Sequence, residues 1–292
     1  NLLSDKKPTS NKLEKFDEKI TLQKKWEINV EKNAVLNSGV GAFGPQIFAN
    51  TVVTSYRSGS AKAFDLENGN EIWNIKFDSE ILCSVGFLHN DKDHLIAGIT
   101  LQGELVLKTQ KNKTLWKTKL NGIVRVAPIV TESAVITLFA DNRVIAFDIN
   151  SGKRVWAINR RVPSLILHGQ SDMSLFKNNR SEDDEFGPSL DEQLIVNMAG
   201  GRILSLDPLS GSVKWESRIV FPSGTNEVER IVDLIGKPFL DKEVCTSVYQ
   251  NSIVCLSPLT GEVIWKRFFK PILPATFSSS VAIALDSESR IT

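Results

Sequence analysis

The stretch FADNRVIAFDINSGKRVWAINR, residues 139–160, decides the fold. Apolar and polar positions alternate through Arg143-Val144-Ile145-Ala146-Phe147, the period of a strand with one buried face. Asn142 lies just ahead of it, a residue that tolerates the positive φ of a tight hairpin turn. Asp148 follows, and Gly152 stands four places further on. A carboxylate there can accept from the turn amides while glycine takes the left-handed conformation. Trp156 then sits in a second strand, so the unit reads as strand, tight turn, strand, looser turn, tryptophan strand.

The same unit recurs as SYRSGSAKAFDLENGNEIWNIKF (55–77), TLQGELVLKTQKNKTLWKTKL (100–120), MAGGRILSLDPLSGSVKWESRI (198–219) and VYQNSIVCLSPLTGEVIWKRFF (248–269). From turn residue to tryptophan, Gly59 to Trp73, Asn142 to Trp156, Gly201 to Trp215 and Asn251 to Trp265 are each 14 positions apart, and Gly103 to Trp116 is 13. Consecutive tryptophans are 43, 40, 59 and 50 positions apart, so most of the length variation falls between units. Asp65 with Gly69 and Asp207 with Gly211 repeat the second turn, and Ser257 with Gly261 is a weaker version. The second unit reads Lys108 and Asn112 at those places, a degenerate copy.

Upstream of each tight turn runs another apolar segment, such as Thr51-Val52-Val53-Thr54 or Leu194-Ile195-Val196, and before that one more, such as 124–130. Four strands in a repeat of roughly 40–50 residues form a propeller blade. The expectation is an all-β propeller over residues 20–292, with five complete four-stranded blades and part of a sixth. One tryptophan in the same context per blade, at Trp73, Trp116, Trp156, Trp215 and Trp265, reads as packing between blades rather than as a cofactor stack. Trp26 lies in a tryptophan strand without three strands of its own, so it is expected to complete a last blade. Residues 280–292 resemble the start of a sixth unit, with Arg290 equivalent to Arg143. Either the propeller is longer than this chain, or a sixth blade takes its outer strand from near Trp26. Residues 1–19 read as a flexible tether and about 172–191 as an acidic loop insertion.

Lys plus Arg number 35 against 34 Asp plus Glu, so no long-range field favours nucleic acid. No apolar run reaches the length of a spanning helix. Cys83, Cys245 and Cys255 are too sparse for a disulfide framework and are expected to be free thiols, although Cys245 and Cys255 could pair in one hairpin register. His89, His94 and His168 lack metal-ligand spacing, and no nucleophile motif occurs. Gly39-Val40-Gly41-Ala42-Phe43-Gly44 matches a dinucleotide fingerprint but precedes Pro45 rather than a helix. No catalytic residue, metal or cofactor is expected.

The repeated Ala63-Phe64-Asp65-x-x-x-Gly69-x-x-x-Trp73 pattern resembles the tryptophan-docking repeat of quinoprotein propellers. Within that group the PQQ-dependent dehydrogenases, with PQQ and calcium, are the enzymatic alternative; they typically carry an adjacent cysteine pair, which this sequence lacks. A generic interaction propeller is a further alternative. Val162-Pro163-Ser164-Leu165-Ile166-Leu167-His168-Gly169-Gln170-Ser171 and Gly224-Thr225-Asn226-Glu227-Val228-Glu229-Arg230-Ile231-Val232-Asp233 are similar to inter-blade segments of the BamB family of outer-membrane assembly lipoproteins. That resemblance implies an eight-bladed, non-enzymatic scaffold. It would be lipid-anchored at the periplasmic face of the outer membrane, and would act with other assembly subunits and nascent outer-membrane proteins. It also implies a surface for a POTRA domain of BamA at Leu165, Leu167, Arg230 and Asp233. His168 stands where the family has arginine, and Ile235 where it has a second aspartate.

Overall fold

The structure is a computed structural model that describes residues 23–29, 43–89, 93–162, 171–176, 192–221, 233–278 and 281–286. Those residues are all strand, turn or connection, in five four-stranded antiparallel sheets and the beginning of a sixth. The first sheet is Gln46–Phe48 (β1), Thr51–Ser55 (β2), Ser60–Asp65 (β3) and Glu71–Lys76 (β4). The second is Gly86–Leu88 (β5), Leu95–Ile99 (β6), Glu104–Thr109 (β7) and Thr114–Lys119 (β8). The third is Ile129–Val130 (β9), Ala134–Leu138 (β10), Arg143–Asp148 (β11) and Arg154–Asn159 (β12). The fourth is Met173–Phe176 (β13), Gln193–Met198 (β14), Arg202–Leu206 (β15) and Val213–Arg218 (β16). The fifth is Leu234–Leu240 (β17), Val244–Val248 (β18), Ser252–Leu256 (β19) and Val263–Phe268 (β20). Thr276–Phe277 (β21) and Ala282–Ile283 (β22) open the sixth.

In every complete sheet the strands pair in chain order. The first strands of successive sheets meet, β5 with β9, β9 with β13 and β13 with β17, so they stand nearest a common axis. Each apolar cluster spans two neighbouring sheets, as where Ile136, Val144 and Trp156 of the third pack on Leu194, Val196 and Leu204 of the fourth. The core therefore lies between blades, which is the architecture of a β-propeller.

The repeated tryptophan is the clasp between blades. Trp116 Nε1 donates to Ile149 O at 2.8 Å, Trp156 Nε1 to Pro208 O at 3.2 Å and Trp215 Nε1 to Pro258 O at 2.8 Å, in each case the carbonyl one past the turn Asp or Ser of the next blade. The indole lies on the turn glycine: a Cβ added at Gly152 would meet Trp116 at 2.6 Å, and one at Gly211 would meet Trp156 at 2.6 Å. Glycine is needed twice over there, for this approach and for φ of +65° and +73°. Trp26 docks in the same way, donating to Leu66 O at 2.8 Å and covering Gly69. Trp26 thus sits on the first blade's turn as each blade tryptophan sits on the next blade's, while residues 23–29 pair in no sheet among the described residues. Trp265 differs. It is 38% exposed against 5–9% for Trp73, Trp116, Trp156 and Trp215, and donates to Glu243 Oε2 at 2.8 Å; among the described residues no following turn receives it.

Each outer strand also carries a bulge that the repeat pattern did not reveal. Ala146 faces Trp156 but Phe147 faces Arg154, leaving Val155 unopposed, and the same slip precedes every other sheet tryptophan. The extra residue turns outward, which is why Ile72, Leu115, Val155 and Ile264 are exposed beside a buried or half-buried ring.

Four expectations are corrected. The second blade's turn begins at Thr109, not Lys108: Leu95 pairs with Thr109 as Thr51 pairs with Asp65, so the turn is one residue shorter. Lys108 instead takes the buried place of Phe64 and Phe147, and burial pushes its ammonium below its usual range. Asn112 does adopt the left-handed conformation, at φ 63°. Second, Cys245 and Cys255 form a disulfide, because the turn at Gln250 sets a register that places them directly opposite. Cys83 alone remains a thiol. Third, the acidic insertion starts later than residue 172: Met173–Phe176 is the inner strand β13, held by pairing with Gln193–Val196. Fourth, of the first-strand segment 124–130 only Ile129–Val130 is strand.

Candidate partner-binding face

Because strands alternate in direction, the tight turns between second and third strands share one face with the connections between blades. The first hairpin of each blade and the Asp-to-Gly turns lie on the opposite face. Both family-specific segments are blade connections, from β12 to β13 and from β16 to β17. Their described flanks, Arg161, Ser171, Phe221 and Asp233, therefore lie on the tight-turn face of adjacent blades.

Hydrogen bonds join that face laterally. Asn142 Nδ2 donates to Ala199 O at 3.2 Å while Ala199 N donates to Asn142 Oδ1 at 3.1 Å, coupling the turns of the third and fourth blades. Gly200 N donates to Asp233 Oδ1 at 2.9 Å, and Tyr249 N to Asp233 O at 3.0 Å, carrying the link to the fifth. Nearer the axis, Asn197 Nδ2 donates to Gly236 O at 2.9 Å and Ser174 Oγ to Pro238 O at 2.6 Å. The blades that bear the two segments are thus held as one platform.

Of the residues singled out for binding, the structure places two. Asp233 is 1% exposed and turned inward onto Gly200, so it positions the surface. Ile235 is buried opposite Ser247. Leu165, Leu167, His168 and Arg230 lie outside the described residues. Sequence reading missed Asn142, whose role needed the neighbouring blade. It also missed Phe221, an aromatic 66% exposed under the Arg218 guanidinium at 4.7 Å. Leu101 and Ile123 are further exposed apolar side chains on this face.

Two other groups merit attention. Asp172, just ahead of β13, is pushed up to about 6 by burial, with Lys237 opposing, and its charge helps burial push the Cys83 thiol up to about 12. Such a thiol is not a nucleophile at neutral pH. Glu243, Cys245 and Cys255 bring three potential ligand atoms together, but both sulfurs are in the disulfide and Glu243 accepts from Trp265. As oxidised, the group offers a metal no thiolate.

The fold and its clasps define the class: a tryptophan-docked β-propeller of the PQQ-like repeat type. The model of the outer membrane protein assembly factor BamB family matches residues 57–290. The chain is 27% identical over 202 residues to the outer membrane protein assembly factor BamB of Bordetella pertussis, covering 69% of this chain and 47% of that protein. It is likewise 27% identical over 228 residues to that of Burkholderia pseudomallei, covering 78% and 54%. Among solved structures, BamB from Moraxella catarrhalis superposes with a TM-score of 0.67 at 19% identity, over 85% of this chain and 70% of that one. The quinohemoprotein alcohol dehydrogenase of Comamonas testosteroni does so at 0.54 and 16% identity, over 87% and 45%, a likeness of fold alone. The chain belongs to the BamB family of outer membrane protein assembly factors. It spans about half the length of the curated relatives it matches.

Proposed function

We propose that this chain is the propeller of a non-enzymatic scaffold subunit of the outer-membrane protein assembly machinery, lipid-anchored at the periplasmic face of the outer membrane. It binds a POTRA domain of BamA and assists insertion of outer-membrane proteins. The observation that carries the reading is that the two family-specific connections start and end on one face of blades tied together through Asn142, Gly200 and Asp233. A pre-organised platform presenting a few apolar anchors with a charged rim suits a protein partner. Leu165, Leu167, His168, Arg230 and Phe221 are assigned to direct contact, while Asp233 and Ile235 hold the platform from beneath.

The test is binding of purified BamA POTRA domains to the full-length protein. Combining Leu165→Glu with Arg230→Glu should weaken binding at least about tenfold, since removing central anchors typically costs more than 1–2 kcal/mol. An unchanged melting temperature shows that the variant is folded. Binding equal to wild type in that folded variant removes the assignment of this face.

A further inference from the structure

We propose that His89 and His94 form a binding site for one divalent transition-metal ion of the kind imidazole prefers, zinc, nickel or copper, at the tip of the β5–β6 hairpin. The pairing of Leu88 with Leu95 makes His89 and His94 the next opposed positions. Opposed residues of antiparallel strands hold their Cβ atoms about 4.5–5.5 Å apart, close enough for two imidazoles to reach one ion at roughly 2.0–2.1 Å. Their ring centroids are 4.5 Å apart with 32° between planes.

A second observation points the same way. His94 Nδ1 is buried and has no hydrogen-bond partner, while the neighbouring Asp93 Oδ1 pairs with Lys111 Nζ at 3.7 Å. Buried polar atoms are otherwise paired almost throughout proteins. A stacked pair of rings leaves this nitrogen without a partner, whereas an ion would take it as a ligand. The chain at His94 is also held in place. Gln110 N donates to His94 O at 3.0 Å, and the Phe87 ring stands edge-on to His94 at 5.5 Å. Burial, and then the neighbouring His89, hold His94 below the usual imidazole range, which favours the neutral, ligating form.

This site lies on the face opposite the tight turns, so it stands independently of the proposed partner surface. The test is zinc titration of the untagged, chelator-stripped chain in competition with a chromophoric indicator. One equivalent should bind per chain, and His89→Ala and His94→Ala should each weaken it at least tenfold. His89 is exposed, so its removal leaves the fold intact, as a thermal melt without metal checks. Copper-loaded wild type should show coupling to two imidazole nitrogens by electron paramagnetic resonance. Zinc affinity in His89→Ala equal to wild type, or no equivalent bound by wild type, overturns the proposal and leaves the pair a stacking contact.

Discussion

Trp73 and Trp116 occupy equivalent places in successive blades, yet only one has a partner for its indole N–H. Trp116 donates to Ile149 O, whereas Trp73 Nε1 is buried with no acceptor. The shortened turn at Thr109 explains this. Where Gly69 N closes on Asp65 O and leaves Leu66 O free for Trp26, Asn112 N closes on Thr109 O with one residue fewer between. An orphaned buried donor is destabilising by about 1–3 kcal/mol, so the two tryptophans should respond differently to loss of the N–H. Trp116→Phe should destabilise the chain by about 1–2 kcal/mol more than Trp73→Phe does, although both lose similar ring area. Urea unfolding of the two variants measures the difference, and equal losses would show that Trp73 finds an acceptor in solution.

The hairpin of β18 and β19 sets the state of two cysteines. Val248 pairs with Ser252 across its turn, and the same ladder sets Cys245 opposite Cys255. Titration of the denatured, unreduced protein should find one thiol, Cys83, and three after reduction. On the chain-entropy account a crosslink closing so short a loop stabilises by roughly 3 kcal/mol, so reduction should lower the urea midpoint. Three thiols before reduction would remove the bond. Bulges on the outer strands belong to the same scale. Four of the five turn an apolar residue out beside the tryptophan, so the exposed Ile72, Leu115, Val155 and Ile264 arise from tryptophan placement, and the fourth blade has Lys214 there.

At the scale of the whole molecule, packing of the fourth blade on the fifth brings Asp172, just ahead of β13, near Lys237 of β17. Asp172 of the fourth blade titrates near 6 because burial disfavours its charge, with Lys237 of the fifth only partly offsetting this. Its unfolded value is about 3.9, so between about pH 4 and 6 the folded chain binds the extra proton. Stability from this group is therefore greatest below pH 4, falls as pH rises to about 6, and stays lower above. Asp172→Asn should melt a few degrees above wild type at pH 7.5 and level with it at pH 4. Calorimetry at the two values decides it, and an equal melting temperature at pH 7.5 would place the carboxylate in water.

Sequence alone determined the repeating blade, the turn chemistry at Asp148 and Gly152 and the recurring place of the tryptophan in each unit. These are relations within about 14 residues, where backbone turn geometry and side-chain period leave few solutions. The candidate surface was legible only as two segments between blades. Only the tertiary structure decided that Asp233 turns inward to Gly200, that Asn142 clasps a neighbouring turn, that Lys108 is buried, and that Cys245 meets Cys255. Each depends on strand register or on the next blade, and a shift of one residue sends a side chain to the opposite face.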